Sequence, residues 1–262
     1  MLLPVSVPER FRIIAHRGAS GYAPENTRKA FQLALDMGVT EVETDTQLTL
    51  DGRVVLCHDT TLEHFGYGPE LVEQKTADEL TELDMGQWFS PFLYGGERML
   101  FLDELFETFG NCFTYHLELK GTSLALPEAV AAMVAAFRLR DACIVTSFSY
   151  ELLHRMRKAD NQVRLGWLIQ SLDLHSLQKA SDLQLFQLCP RAETVTPLAV
   201  RRAKNVVAEV RAWGLGGSRK EAVTRMFNVI QAGCDGMTID WPDWLSHATE
   251  ATRDLESPGD IY

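Results

Sequence analysis

The stretch Phe11–Leu48, FRIIAHRGASGYAPENTRKAFQLALDMGVTEVETDTQL, reads as one strand–helix–strand unit. Its first six residues form a largely apolar run that suits a buried strand. Within ENTRKAFQLALDMG, Ala30, Phe31, Ala34 and Leu35 recur at helical spacing and fall on one face. Asn26 or Thr27 can cap the start of this helix, and Gly38 suits its end. TEVETDTQL (40–48) returns as the second strand. TLDGRVVLCHD follows, and its Asp51-Gly52 pair is a strong two-residue hairpin signal. VVLC is therefore predicted to fold back antiparallel, outside any parallel set.

The same alternation runs outward through the chain. Strand candidates lie at 113–119 (FTYHLEL), 142–147 (ACIVTS), 163–169 (VRLGWLI), 183–188 (LQLFQL), 206–213 (VVAEVRAW) and 236–239 (GMTI), separated by helical runs such as LPEAVAAMVAAFRL and RKEAVTRMFNVIQAG. Residues 60–112 break the rhythm and read as an insertion packed on one face. With the hairpin strand set aside, eight strands are expected. Eight β–α units in 262 residues match the roughly 250 residues of a one-domain barrel. The expectation is an α/β fold: a (β/α)8 TIM barrel, one domain over 1–262, with a small insertion of approximately 60–112 after the early β-hairpin. An open doubly wound sheet is the alternative, but the first β–α turn lacks G-x-G-x-x-G. TRDLESPGDIY, at the end, reads as a mobile polar tail.

A formal net charge of −11 argues against a nucleic-acid binder and against adsorption to an anionic membrane. The five cysteines are far apart and form no C-x-x-C pair, which fits a reduced compartment better than a disulfide framework or a zinc site. MLLPVSVPERF is too short and proline-broken for a signal-peptide core, and no apolar run approaches a membrane span. These features lead us to expect a soluble cytoplasmic protein.

Polar residues gather where the strands end, the place where such a barrel carries its chemistry. His16 and Arg17 end the first strand. Glu43 and Asp45 lie two apart in the second, on one face and roughly 6.6 Å apart along it. His58-Asp59 ends the hairpin strand, Glu118 and Lys120 close LELK, and Asp240-Trp241 ends the last strand. Taken singly, a strand-end glutamate is usually a rim charge and a histidine at an element end a polar cap. Three carboxylates at one mouth would repel strongly, and a divalent cation removes that cost. All-oxygen ligands suit Mg²⁺ or Ca²⁺. Arg17 and Lys120 can then hold an anion such as phosphate, and two histidines can exchange protons near neutral pH. Together these groups describe hydrolysis of a phosphate ester. His64, His116, His154, His175 and His247 read as structural or surface residues, with His116 on the face of Glu118 but deeper. Trp88, Phe89, Met85 and Met99 read as insertion packing.

In AHRGASGYAPENTRKAF (15–31), GVTEVETDTQLTLDGRVVLCHD (38–59), LTELDMGQWF (80–89), LELK (117–120) and AGCDGMTIDWPDWL (232–245), the chain resembles the glycerophosphodiester phosphodiesterase family. The resemblance implies a barrel of the phospholipase-C-like phosphodiesterase type. The implied activity is metal-dependent hydrolysis of small glycerophosphodiesters to glycerol 3-phosphate and an alcohol, through a cyclic phosphate. It implies Glu43, Asp45 and Glu118 as ligands of Mg²⁺, Ca²⁺ or Mn²⁺, and His16 and His58 as the acid/base pair. Arg17 and Lys120 would bind the phosphate, Glu25 would support the metal or the glycerol end, and Trp241 would line the pocket near the glycerol. The sequence departs from the family pattern at Glu63–Gly66 and at Trp213–Gly216, outside this set. A lysophospholipase D or sphingomyelinase D-like activity is the alternative, with Trp88, Phe89, Phe92, Leu93 and Tyr94 meeting an acyl chain. A non-catalytic barrel that binds a phosphorylated metabolite is the third reading.

Overall fold

The structure, a computed structural model, describes residues 3–247. The polar tail expected at 252–262 lies outside the described residues. Eight parallel strands form the barrel: β2 (Arg12–His16), β3 (Glu41–Leu48), β5 (Thr114–Leu119), β6 (Cys143–Ser147), β7 (Arg164–Ile169), β8 (Gln187–Pro190), β9 (Glu209–Ala212) and β10 (Gly236–Ile239). The ring closes because β2 pairs with β3 on one side (His16↔Glu43) and with β10 on the other (Ile13↔Met237). The predicted hairpin strand is β4 (Val54–Leu56), antiparallel to β3. Two short strands, β1 (Val5–Val7) and β11 (Leu245–His247), pair with each other outside the ring. Among the described residues no helix is long and apolar enough to cross a membrane.

The helices follow from their sequence patterns. In α1 (Arg28–Asp36) the buried face is Ala30, Phe31 and Ala34, and the Thr27 hydroxyl accepts from the Ala30 N–H as the N-cap. Asn26, the other candidate cap, turns its side chain to the barrel interior instead. Around the ring come α5 (Leu126–Ala136), α6 (Tyr150–Ala159), α7 (Leu174–Asp182), α8 (Pro197–Ala203) and α9 (Arg219–Ala232). The main apolar core lies between the ring of strands and this helical shell. The strand expected at 183–188 begins later: α7 ends at Asp182, Leu183 caps it, and β8 starts at Gln187. An apolar run of that length carries no periodicity that separates strand from helix end.

Between β4 and α4 (Leu102–Phe109), the chain carries the short helices α2 (Ala77–Thr81) and α3 (Pro91–Tyr94). Val55, Leu62, Phe65, Val72, Leu80, Met85, Met99 and Phe101 bury together there in a second, smaller core. Helix α4 packs Leu102, Leu105, Phe106 and Phe109 on the main core, as a barrel helix between β3 and β5 does. Trp88 is not in the smaller core; it lies at the surface, edge-on to His64 at 4.2 Å. Asp84 accepts from the Gly86, Gln87 and Gly96 N–H groups and so pins the loop that carries α3. The Tyr94 hydroxyl donates to the Tyr22 carbonyl (2.8 Å), which ties this segment to the turn after β2.

That turn is tight. Gly18 has φ +80°, and a Cβ there would lie 2.5 Å from the Ala30 carbonyl carbon. Gly18→Ala is therefore expected to cost about 2–4 kcal/mol. Chemical denaturation checks this. A loss below 0.5 kcal/mol would mean that the turn and α1 can separate freely, contrary to the packing described.

Candidate active site

β2 ends at His16, and the next residue, Arg17, takes a left-handed conformation (φ 54°). The Arg17 N–H donates to the Glu43 carbonyl (2.9 Å), and the Arg17 carbonyl accepts from the Asn26 N–H (3.0 Å). Asn26 is also left-handed (φ 56°). A non-glycine residue in this region is uncommon, and such residues cluster at functional sites. Both of these aim at Asp45. Arg17 Nε lies 3.1 Å from Asp45 Oδ2 as an ion pair, and Asn26 Nδ2 donates to the same oxygen at 3.2 Å. Thr44 Oγ1 donates to Asn26 Oδ1 and fixes the amide. Arg17 Nη1 donates to Glu25 Oε2 at 2.7 Å, so Glu25 sits behind the guanidinium and outside the acidic cluster.

Glu43 and Asp45 point into the barrel from β3, and Glu118 joins them from β5, whose register sets Glu118 beside Asp45. One oxygen from each of the three lies within 4.8 Å of the others, and all three residues are buried. Glu43 Oε2 and Asp45 Oδ1 have no hydrogen-bond partner. Burial and the neighbouring Asp45 raise Glu118 to about 7, and the same causes raise Glu43. Burial also acts against Asp45, but Arg17, His58 and Lys120 hold its carboxyl below the usual range. Orphaned oxygens on converging carboxylates are the donor set of a hard divalent cation, and these residues fit one. Lys120 Nζ lies 3.2 Å from Glu118 Oε1 and 3.9 Å from Asp45 Oδ1.

Each histidine has a carboxylate on its Nδ1. His16 Nδ1 is 2.5 Å from Asp240 Oδ1, and His58 Nδ1 is 2.6 Å from Asp59 Oδ1. Among the described residues this arrangement leaves each Nε2 without a hydrogen-bond partner of its own, that of His16 3.8 Å from Glu43 Oε2, so that it can exchange a proton. Burial and Arg17 act to lower His16, yet Asp240 and Glu43 outweigh them and its pKa is raised. Burial, Arg17 and Lys120 keep His58 lowered in spite of Asp45 and Asp59. The two imidazoles are thus pushed apart.

These groups open on one pocket of about 350 Å³ at the C-terminal ends of the strands. His16, Arg17, Glu43, His58, Glu118 and Lys120 form its polar wall, and Phe148, Trp213, Trp241 and Trp244 its aromatic wall. Trp241 stacks on Trp244 at 4.6 Å and lies so close over Gly21 that a Cβ there would be 2.3 Å from the indole nitrogen. Of the departures from the family pattern, Gly214–Gly216 line the pocket, whereas Glu63–Phe65 form a 3₁₀ turn beside Trp88. His116, suspected of a place near Glu118, lies fully buried below it and pairs with Glu41 at 2.9 Å.

The sequence did not reveal the partners of the histidines as such. Asp59 is adjacent to its histidine, but Asp240 and His16 are 224 residues apart and meet only because β2 pairs with β10. Asn26 read as a helix cap. Arg211, buried on β9 and lining the same pocket, gave no signal at all.

The model of the glycerophosphoryl diester phosphodiesterase family matches residues 16–244. A glycerophosphodiester phosphodiesterase from Caldanaerobacter subterraneus is 31% identical over 237 residues, covering 89% of this chain and 95% of that protein. A phosphodiesterase from Oleispira antarctica, solved with its product sn-glycerol 3-phosphate, superposes with a TM-score of 0.77 at 25% identity, covering 96% of this chain and 98% of that one. A glycerophosphodiester phosphodiesterase from Agrobacterium tumefaciens gives 0.72 at 25% identity, covering 89% and 98%. With 229 consecutive positions matched by the model, strand ends included, this chain belongs to the glycerophosphoryl diester phosphodiesterase family, whose members are phosphoric diester hydrolases.

Proposed function

We propose that the barrel, with the segment after β4 folded on its rim, acts as one catalytic unit. It hydrolyses small glycerophosphodiesters to sn-glycerol 3-phosphate and an alcohol. The observation that carries this reading is the meeting, in one pocket, of two carboxylate-backed histidines, two cations and two carboxylates, Glu43 and Glu118, that form a buried acidic triad with Asp45 just behind them.

Arg17 and Lys120 hold the phosphate. Glu25 and Asp45 orient the guanidinium for it. The free glycerol hydroxyl next to the ester attacks phosphorus, and its oxygen–phosphorus bond forms as the bond to the alcohol breaks. His58, whose pKa burial, Arg17 and Lys120 lower, takes the hydroxyl proton. His16, paired with Asp240, gives its proton to the departing alcohol. A cyclic glycerophosphate results. Water then opens it as the histidines exchange roles, with the proton returned through the same two imidazoles. Holding the nucleophile beside phosphorus replaces a bimolecular encounter. Glu43, Asp45 and Glu118 would hold the divalent ion, Mg²⁺ or Ca²⁺ with Mn²⁺ also suitable, which supplies charge stabilisation at the phosphoryl oxygens. Trp241 bounds the glycerol side of the pocket.

None of Trp88, Phe89, Phe92, Leu93 and Tyr94 lines the pocket, although Phe92 (97%) and Leu93 (77%) are exposed on α3. The pocket therefore favours a head-group diester over a lysolipid. The test is release of glycerol 3-phosphate from glycerophosphocholine and glycerophosphoethanolamine with Mg²⁺, Ca²⁺ or Mn²⁺, or with chelator, beside lysophosphatidylcholine. Release that chelator abolishes and metal restores is expected, with the lysolipid turned over more slowly. No release under any metal, or release indifferent to chelator, would overturn the reading.

A further inference from the structure

Arg211 is 2% exposed, yet it lines the pocket together with Thr238, Glu43 and Asp240. Its Nη1 donates to Thr238 Oγ1, while Nε and Nη2 have no hydrogen-bond partner. Among the described residues no carboxylate forms an ion pair with it; Glu41 and Glu43 act on it only through their field, and the Cys189 sulfur, a weak acceptor, is its one further hydrogen-bonding neighbour. A buried guanidinium without a paired anion is costly, and its donors demand an acceptor.

The topology indicates where that acceptor belongs. Arg211 comes from β9, and β10, β2 and β3 stand between β9 and β5, the strand that carries Lys120 towards the phosphate. Arg211 and Thr238 are deep, whereas Phe148, at 41% exposure, marks the rim. The alcohol varies among substrates and must depart past the rim. The glycerol half is common to all of them and stays bound until the second step. A donor fixed in the deep end therefore faces the constant part.

We propose that Arg211 is a further substrate-binding residue that donates to the glycerol hydroxyl which takes no part in the reaction. This rests on the glycerophosphodiesterase reading.

The test compares Arg211→Met and Arg211→Lys with the unaltered protein, loaded with the same divalent ion. Binding of sn-glycerol 3-phosphate, measured by calorimetry, is expected to weaken about 10–100-fold in Arg211→Met, the usual scale for a charged hydrogen bond. KM for glycerophosphocholine and glycerophosphoethanolamine should rise by one common factor, with kcat changed little, and Arg211→Lys should recover part of the loss. Melting of the ligand-free Arg211→Met protein should be unchanged or raised, because an unpaired buried charge is gone. The 2-hydroxyethyl ester of phosphocholine keeps the nucleophile and lacks the extra hydroxyl. The unaltered enzyme should prefer the glycerol compound to it, and Arg211→Met should lose that preference. Three results would overturn the proposal: product binding unchanged, a loss that depends on the head group, or failure of both variants to fold, which would assign Arg211 to the scaffold. If the unaltered protein turns over no diester, the parent reading fails, while calorimetry with the product still decides on Arg211.

Discussion

Alanine at His58 or at His16 is expected to lower kcat/KM on glycerophosphocholine by about 10²–10⁴-fold with the melting temperature within a few degrees of the parent. Each imidazole reaches the pocket from a strand end and contributes its ring to no part of the apolar core, so its removal leaves the barrel standing. The two losses should differ in kind. His16 is ion-paired to Asp240 and supplies the proton that the leaving alcohol needs. A diester whose leaving group departs as a stable anion, such as the p-nitrophenyl ester, does not need that proton. On it His16→Ala should recover most of its rate of p-nitrophenolate release in the first step, and His58→Ala, which lacks the base, should remain slow. The opposite pattern would exchange the two roles. Recovery of neither would mean that protonation of the alcohol is not what His16 contributes, and near-parent activity on the natural diester would remove both histidines from the mechanism.

Glu118→Gln sets stability against function. In the metal-free protein, burial and Asp45 raise Glu118 from 4.5 to about 7. The native state therefore binds more protons than the unfolded chain across that window. Stability that is fully present below about pH 4.5 is lost as pH rises through about 7. The neutral glutamine escapes the loss. The metal-free variant is expected to melt on the order of 5 °C above the parent at pH 8 and close to it at pH 5. Added Mg²⁺ or Ca²⁺ should raise the parent's melting temperature by mass action on the folded state, should raise the variant's little, and should fail to restore its turnover, down about 100-fold or more. An equal metal-induced shift in both proteins would show that Glu118 is not among the groups that hold the ion.

Much of this architecture was legible in the residues, for reasons that differ from place to place. Period-two spacing put Glu43 beside Asp45 and Glu118 beside Lys120 on single faces, because alternation along a strand is a local rule. The Asp51-Gly52 turn likewise declared β4. Where strands begin was less legible: LQLFQL is apolar throughout, and only packing decides that Leu183 ends a helix while Gln187 starts β8. What lies inside the barrel was hidden for a different reason. Asp240 reaches His16 through ring closure, a property of all eight strands at once, and Arg211 reaches Thr238 through the pairing of β9 with β10. Asn26 was legible as a polar residue at a helix start but not as a support of Asp45, because its left-handed backbone turns it away from the helix it precedes.

The strand that closes the ring, β10, is also the last of the eight ring strands to leave the ribosome. β2 must wait for β10 before Ile13 can pair with Met237, and until then one edge of the first ring strand stays open. Contacts this far apart in the chain are slow to form, and large domains fold through partly built states. A nascent chain that stops short of Gly236 already carries both histidines, the acidic triad and both cations, yet it has neither a closed wall nor the carboxylate that belongs to His16. Hydrolytic competence should therefore arrive abruptly with β10, and the growing polypeptide should be inert while most of its catalytic side chains are already in place.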